Sequence, residues 1–403
     1  MRLRHPGGEL VHVGYCTNVH PAEDLDGILT QLDTYALPVR ERLAEPILGI
    51  GLWLAHQVAA ALTADASLAR RLRAELTARG LEVVTLNGFP YEGFHRPVVK
   101  HAVYRPDWTS PERRRYTANL AHVLARLLPD DVAEGSISTL PFGWRADWRP
   151  RHSDTAARQI RLLGDELGEI ARRTDRTVRV AFEPEPGCLV ETTGDAVRHL
   201  SGLDPRHFGL CLDICHLAVA FESPADALSG LARAGIPVVK AQISCALHAE
   251  DPADGATRRA LAAFAEPRFL HQTRQAGRPA TGTDDLPEAF TGPAALGDDS
   301  PWRTHFHIPV HADPEPPLTS TRHVLRGALV ALLAGDHPVT RHFETETYTW
   351  AVLPEPPRDS AGLADGIAAE LDWTRRELLA LGLSCEESEP ARDRSPEPNR
   401  SAR

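Results

Sequence analysis

The chain has 403 residues and a formal charge of −11 at neutral pH, which opposes a broad electrostatic grip on a nucleic-acid backbone. Its hydrophobic fraction of 42% is ordinary for a globular protein, and no window approaches the roughly 18 unbroken apolar residues that a membrane span requires. Residues 1–8 have charge but no following apolar run of secretory length, so the expected location is the cytoplasm.

In chain order, short apolar runs alternate with segments of helical period. Strand 10–16 precedes helix 25–43, strand 46–53 precedes helix 56–79, strand 82–86 precedes helix 111–127, and strand 135–140 precedes helix 154–173. Strand 178–183 then leads to helix 195–200, strand 208–213 to helix 225–234, strand 238–243 to helix 321–333, and strand 341–347 to helix 361–381. Start and stop signals support several of these: Ser110-Pro111 and Ser223-Pro224 place a cap before a first-turn proline, and Gly80 follows the second helix.

Strand–helix pairs repeated along the chain predict an α/β fold, a (β/α)8 TIM barrel over residues 1–383 with loops after the strands forming the active face. A doubly wound sheet is disfavoured because Tyr15-Cys16-Thr17-Asn18-Val19-His20 stands where a Gly-x-Gly-x-x-Gly turn would follow the first strand. The longest irregular stretch, about 244–318, reads as an insertion after strand seven, and its length suits a lid better than filler. Within it residues 304–311 alternate like a strand, a ninth candidate that has to lie outside an eight-stranded barrel. Residues 384–403 are polar and proline-rich and are expected to be a disordered tail. The cysteines fall mostly in or near predicted strands and are expected as small buried hydrophobes; Cys211 and Cys215 lack the closer spacing of a zinc-thiolate pair.

Polar residues end successive buried strands. Glu183 closes the fifth, Asp213 the sixth with His216 three residues on, Gln242 lies in the seventh, and Glu344 and Glu346 lie in the eighth. Glu183 to Asp213 is 30 positions and Asp213 to Gln242 is 29, each one strand–helix unit, so equivalent strand ends would stand side by side. Two carboxylates, an amide oxygen and a final Glu form an oxygen-rich set suited to Mg or Mn, with Co or Zn admitted by a nearby histidine. Each residue alone has a plain structural reading as a loop cap, a helix cap or a buried hydrogen-bond partner; their coincidence at four strand ends favours a metal site.

The run Gly209-Leu210-Cys211-Leu212-Asp213-Ile214-Cys215-His216, with these strand ends, resembles the xylose isomerase-like TIM barrels, the superfamily of sugar isomerases, 3-epimerases, hydroxypyruvate isomerase and endonuclease IV. The resemblance implies a divalent ion held by Glu183, Asp213, Gln242 and one of Glu344 or Glu346, with Glu346 preferred because it lies nearer the strand's C-terminal end. Gln242 is similar to the Gln-containing variant of hydroxypyruvate isomerases. Residues 15–21, 85–91, 135–139 and 346–350 are similar to the EboE branch, sugar-isomerase-like proteins of metabolite traffic. The resemblance implies metal-assisted proton transfer beside a carbonyl through an enediolate, with Glu183 and Glu346 as ligands and acid/base pair, on a polyol or sugar-like metabolite. His216, Asn87, His20, His271, His311 and Glu344 are candidates for substrate contacts, and His307 is a further histidine of the insertion within reach.

Two rivals belong to other classes. The Asp213/His216 run also resembles endonuclease IV, a zinc phosphodiesterase, but at the next strand Gln242-Ile243-Ser244-Cys245 replaces the His-rich motif that enzyme would supply. A non-catalytic barrel that binds and hands on a metabolite would retain the same ligand set.

Overall fold

In the computed structural model, residues 1–277 and 281–386 are described. Eight parallel strands form the frame: β1 Leu10–Cys16, β2 Leu48–Trp53, β3 Leu81–Asn87, β4 Glu134–Thr139, β5 Thr177–Phe182, β6 Phe208–Asp213, β7 Val238–Ile243 and β8 His342–Thr345. Each pairs with the next, and β8 closes onto β1 in parallel register from His342↔His12 to Thr345↔Tyr15. The result is a closed (β/α)8 barrel. The strands are almost wholly buried because the barrel interior covers one face and the helices the other, which is why they read as near-continuous apolar runs. At the N-terminal end, Arg2–Arg4 adds an antiparallel strand to β1, and Ser384–Cys385 pairs with Arg2–Arg4 in turn. Of the expected disordered tail, residues 387–403 lie outside the described residues.

The outer helices bury one stripe each. Pro111–Leu127 is capped by Ser110, whose side chain accepts from the Glu112 N–H, and buries Tyr116, Leu120, Val123, Leu124 and Leu127. The sequence predicts one helix over 56–79, but two are present, His56–Ala64 and Ala66–Ala78, because the Asp65 carboxylate turns onto the Ser67 N–H at 2.7 Å and starts the second. The predicted helix 25–43 contains a π-turn at Leu32–Ala36. The predicted eighth strand, 341–347, stops at Thr345, so Glu346 stands in the turn beyond it.

Between β7 and β8 the chain builds a second layer. Leu247–Ala249, Thr273–Gln275, Thr281–Thr283, Trp302–Thr304 and Thr319–Ser320 form a five-stranded antiparallel sheet with its own core, which includes Leu261, Leu286, Trp302, Phe306 and Ile308. The ninth strand candidate belongs here and only as Trp302–Thr304. Beyond Thr304 the alternation persists without strand pairing, since Phe306 packs on Phe264 in the insertion's core while His305 and His307 turn towards the barrel mouth. Among the described residues no helix is long and apolar enough to cross a membrane.

Candidate metal and substrate site

The C-terminal ends of the strands open into a cleft whose lining includes Asn18, Asn87, Glu183, Glu185, His216, His305, His307, Glu346 and Tyr348. Glu183 is placed by its backbone N–H, which donates to Thr139 O at 3.0 Å, so the chain is still tied to β4 one residue past β5. Asp213 ends β6 and begins the helix Ile214–Val219; its Oδ1 accepts from the His216 N–H at 3.0 Å and from Ser244 Oγ at 2.9 Å. Glu346 Oε1 accepts from Asn18 Nδ2 at 2.7 Å and Asn87 Nδ2 at 3.0 Å, while Gln242 Nε2 donates to its Oε2.

Carboxylate oxygens of Glu183, Asp213 and Glu346 lie within 4.8 Å of one another, all three residues buried. Glu183 Oε2 and Asp213 Oδ2 have no hydrogen-bond partner. Burial, reinforced by Glu346 and Asp213, raises the Glu183 carboxyl well above the ordinary range; burial, then Glu344 and Asp213, does the same for Glu346. Converging acids with unpartnered buried oxygens fit a hard divalent cation, which would offset their mutual repulsion.

A family model described as "Xylose isomerase-like TIM barrel" matches residues 48–260. The chain belongs to this family. Among solved structures, a xylose isomerase-like TIM barrel protein from Mycobacterium smegmatis, in complex with magnesium, superposes with a TM-score of 0.51 at 14% identity, covering 91% of this chain and 98% of that one. A putative sugar phosphate isomerase/epimerase from Anabaena variabilis gives 0.48 at 14%, covering 92% and 99%, and the IOLI protein with a bound zinc atom gives 0.48 at 11%, covering 92% and 99%. No curated protein matches the sequence.

Within this family barrel, the structure brings Glu183, Asp213, Gln242, Glu346, Asn87 and His216 together. Gln242 turns its nitrogen to Glu346 and its oxygen to Cys211 Sγ, 3.2 Å away, so serving as an oxygen ligand requires its amide to rotate. The other candidates stand elsewhere. Glu344 is fully buried inside the barrel, paired with Lys240 below the cleft. His20 stacks on Tyr35 with ring centroids 4.1 Å apart and meets Tyr15 OH at 3.1 Å; burial drives its pKa down to about 3 and keeps it neutral. His271 is used up holding the insertion, with Nδ1 on His305 O and Nε2 on Glu266. His311 stacks on Trp350 along a separate groove beside the insertion.

The cleft residues that sequence reasoning did not single out include Glu185, His305 and Tyr348, and also Asn18, which donates to Glu346. Glu185 accepts from Tyr104 OH at 2.8 Å, with burial raising its pKa, and Tyr348 OH lies 3.3 Å from His305 Nε2. The signal for Glu185 was present in Glu183-Pro184-Glu185-Pro186, where prolines hold two acids in one extended turn. His305 had only the alternation of 304–311, which reads equally as a strand.

Proposed function

We propose that this protein is a divalent-metal-dependent isomerase or epimerase acting on a sugar- or cyclitol-like metabolite by proton transfer next to a carbonyl. One observation carries the reading: carboxylate oxygens of Glu183, Asp213 and Glu346 converge within 4.8 Å at the open end of the barrel, all three residues buried, and Glu183 Oε2 and Asp213 Oδ2 have no hydrogen-bond partner. The magnesium complex of the M. smegmatis barrel is consistent with a cation in this fold. Within the family, the motifs at 15–21, 85–91, 135–139 and 346–350 support membership of the EboE branch and a link to metabolite traffic.

Glu183, Asp213 and Glu346 would hold the metal, joined by Gln242 if its amide rotates, and the bound ion would supply polarisation of two neighbouring substrate oxygens. Asn18 and Asn87 fix Glu346 by donating to the same oxygen, and Gln242 Nε2 donates to the other, so the amide rotation that turns the Gln242 oxygen to the metal would also release Glu346 Oε2. Glu183 and Glu346 are the acid/base pair, one removing the proton beside the carbonyl and the other returning it. Phe89, Phe94, Phe269 and Tyr348 wall the cleft and limit water around the substrate.

Metal analysis of the purified protein beside Glu183→Gln and Asp213→Asn tests the site: the wild type is expected to retain a divalent ion that both variants lose, and equal, negligible metal in all three overturns it. Uptake of solvent deuterium into a panel of sugars and cyclitols tests the chemistry. Ligand binding without exchange across the panel would identify a carrier, and incision of abasic-site duplex with added zinc would replace the proposal with a phosphodiesterase.

A further inference from the structure

The segments that line the cleft have a second side, and it borders a groove. Along residues 305–309, His305 and His307 face the cleft while Ile308 and Pro309 face the groove; past β8, Glu346 and Tyr348 face the cleft while Trp350 and Leu353 face the groove. No residue lines both, so a site here stands or falls apart from the metal reading. The groove has a free volume of about 470 Å³, within the roughly 300–1,000 Å³ of small-molecule pockets.

Its walls are held without a ligand. Glu370 accepts from the Val310 N–H at 3.0 Å and from Trp350 Nε1 at 3.2 Å, so one buried carboxyl ties both walls, and Arg322 Nε donates to Val310 O at 2.8 Å. Pro309, Pro314 and Pro354 restrict the backbone around these anchors. Phe264 is fixed edge-on against Phe306, with ring centroids 5.0 Å apart. Because the walls are pinned, Phe264, Ile308, Leu318, Trp350 and Leu353 line an open volume instead of closing over it. An apolar surface of this kind with a polar rim marks a binding site.

The rim has one sign of charge. Asp313, Glu315 and Glu355 are among the lining residues, which include no lysine or arginine. The nearby Arg322 and Arg376 are already paired, with Asp313 at 3.1 Å and Asp372 at 2.8 Å. Glu315 and Glu355 are exposed and make no ion pair among the described residues. His311 stacks on Trp350, and its buried Nδ1 has no hydrogen-bond partner among the described residues. Burial, reinforced by the two arginines, lowers the His311 pKa, so the ring is neutral and brings no positive charge to the rim. Apolar walls alone would accept any hydrophobic molecule of suitable size. The acids select its charge, and a neutral imidazole with an idle nitrogen offers it an acceptor.

We propose that this groove binds a small organic cation, an ammonium on an aromatic or branched apolar body, with the body against Phe264, Leu318, Trp350 and Leu353 and the ammonium toward Glu315, Glu355 and His311. Exposed ion pairs are weak, so the body supplies the affinity and the acids supply the preference for positive charge.

4-Phenylbutylamine, 4-phenylbutan-1-ol and 4-phenylbutyrate share one body and differ in charge, so calorimetric titration of the full chain with each tests this. The amine is expected to bind saturably, the carboxylate at least about 10-fold more weakly, and the alcohol in between. Glu315→Gln/Glu355→Gln should bring the amine and the alcohol to about the same affinity. Ala263→Trp, at an exposed position on the groove, and separately Ala312→Trp should fill the volume and abolish binding of all three, with folding verified by circular dichroism. Hydrogen exchange in saturating amine should show added protection at 308–318 and 350–355. Absence of saturable amine binding, equal affinity for amine and carboxylate, or undiminished binding in both folded tryptophan variants would overturn the proposal. So would a dimer in sedimentation that both tryptophan variants convert to monomer, because a second copy of the chain would then be the occupant.

Discussion

Glu370 illustrates how one buried acid links three parts of the chain. Its Oε1 accepts from the Val310 N–H of the insertion at 3.0 Å and from Thr347 Oγ1 at 2.7 Å, and its Oε2 accepts from Trp350 Nε1 at 3.2 Å. Burial outweighs these donors and raises its pKa from 4.5 to about 7. A carboxyl whose folded pKa exceeds its unfolded value is neutral in both states at low pH and costs nothing there. Stability falls as pH rises from the unfolded value and levels off above the folded one, the full difference being about 3 kcal/mol. Urea melts of the wild type and Glu370→Gln from pH 5 to pH 8 should show the variant gaining about 2–3 kcal/mol relative to wild type with rising pH. A constant difference would mean that Glu370 does not titrate in this range. A second residue-scale expectation concerns Asn87: Asn87→Ala removes one of two donors to Glu346 Oε1, and should weaken metal retention about 10-fold, with equal retention showing that Asn18 suffices.

At the scale of elements, β2 is shaped around its neighbours. A Cβ on Gly51 would lie 1.7 Å from Glu344 Oε1, so this strand needs glycine to make room for the buried Lys240–Glu344 pair between β7 and β8. Gly51→Ala should therefore cost at least about 2 kcal/mol, through overpacking and displacement of the pair. Lys240→Met alone should cost about 3–5 kcal/mol by leaving a buried carboxylate unpaired, and Lys240→Met/Glu344→Leu should recover most of it. Equal losses in the single and double variants, measured by denaturant melts, would show that the pair contributes little. Much of this architecture was legible because strand, helix and cap signals are local: residues 10–16, 208–213 and 238–243 coincide with β1, β6 and β7. The misses are non-local. The break at Asp65 depends on which competing hydrogen bond its side chain makes, and the burial of Glu344 beneath the cleft depends on Lys240 from another strand. Period two placed Glu344 and Glu346 on one face, but the strand ends between them, which sends one into the barrel and the other to the mouth.

For the whole molecule, the insertion and the barrel meet around the site. Tyr104 and Gln272 join across the cleft, Arg274 Nε donates to Glu191 Oε1 at 2.6 Å, Lys100 pairs with Asp285, and Phe94, Phe269 and Tyr348 form a cluster with centroids 5.0–5.4 Å apart. With the acids supplied by the barrel and His305 and His307 of the insertion beside them, a cation at the acids would lie against both bodies. Metal present at about 100 times its dissociation constant would stabilise the fold by about 2.7 kcal/mol, all lost on chelation. That stabilisation should not be spread evenly, because β1 to β4 are held by their own ladder and core, whereas His305 and His307 carry the insertion's side chains into the cleft beside the acids. Hydrogen exchange with and without EDTA should therefore show protection falling most at 271–275 and 302–308 and least in β1 to β4. If protection falls uniformly, metal stabilises the barrel as a whole and the insertion is fastened by its apolar and ionic contacts alone.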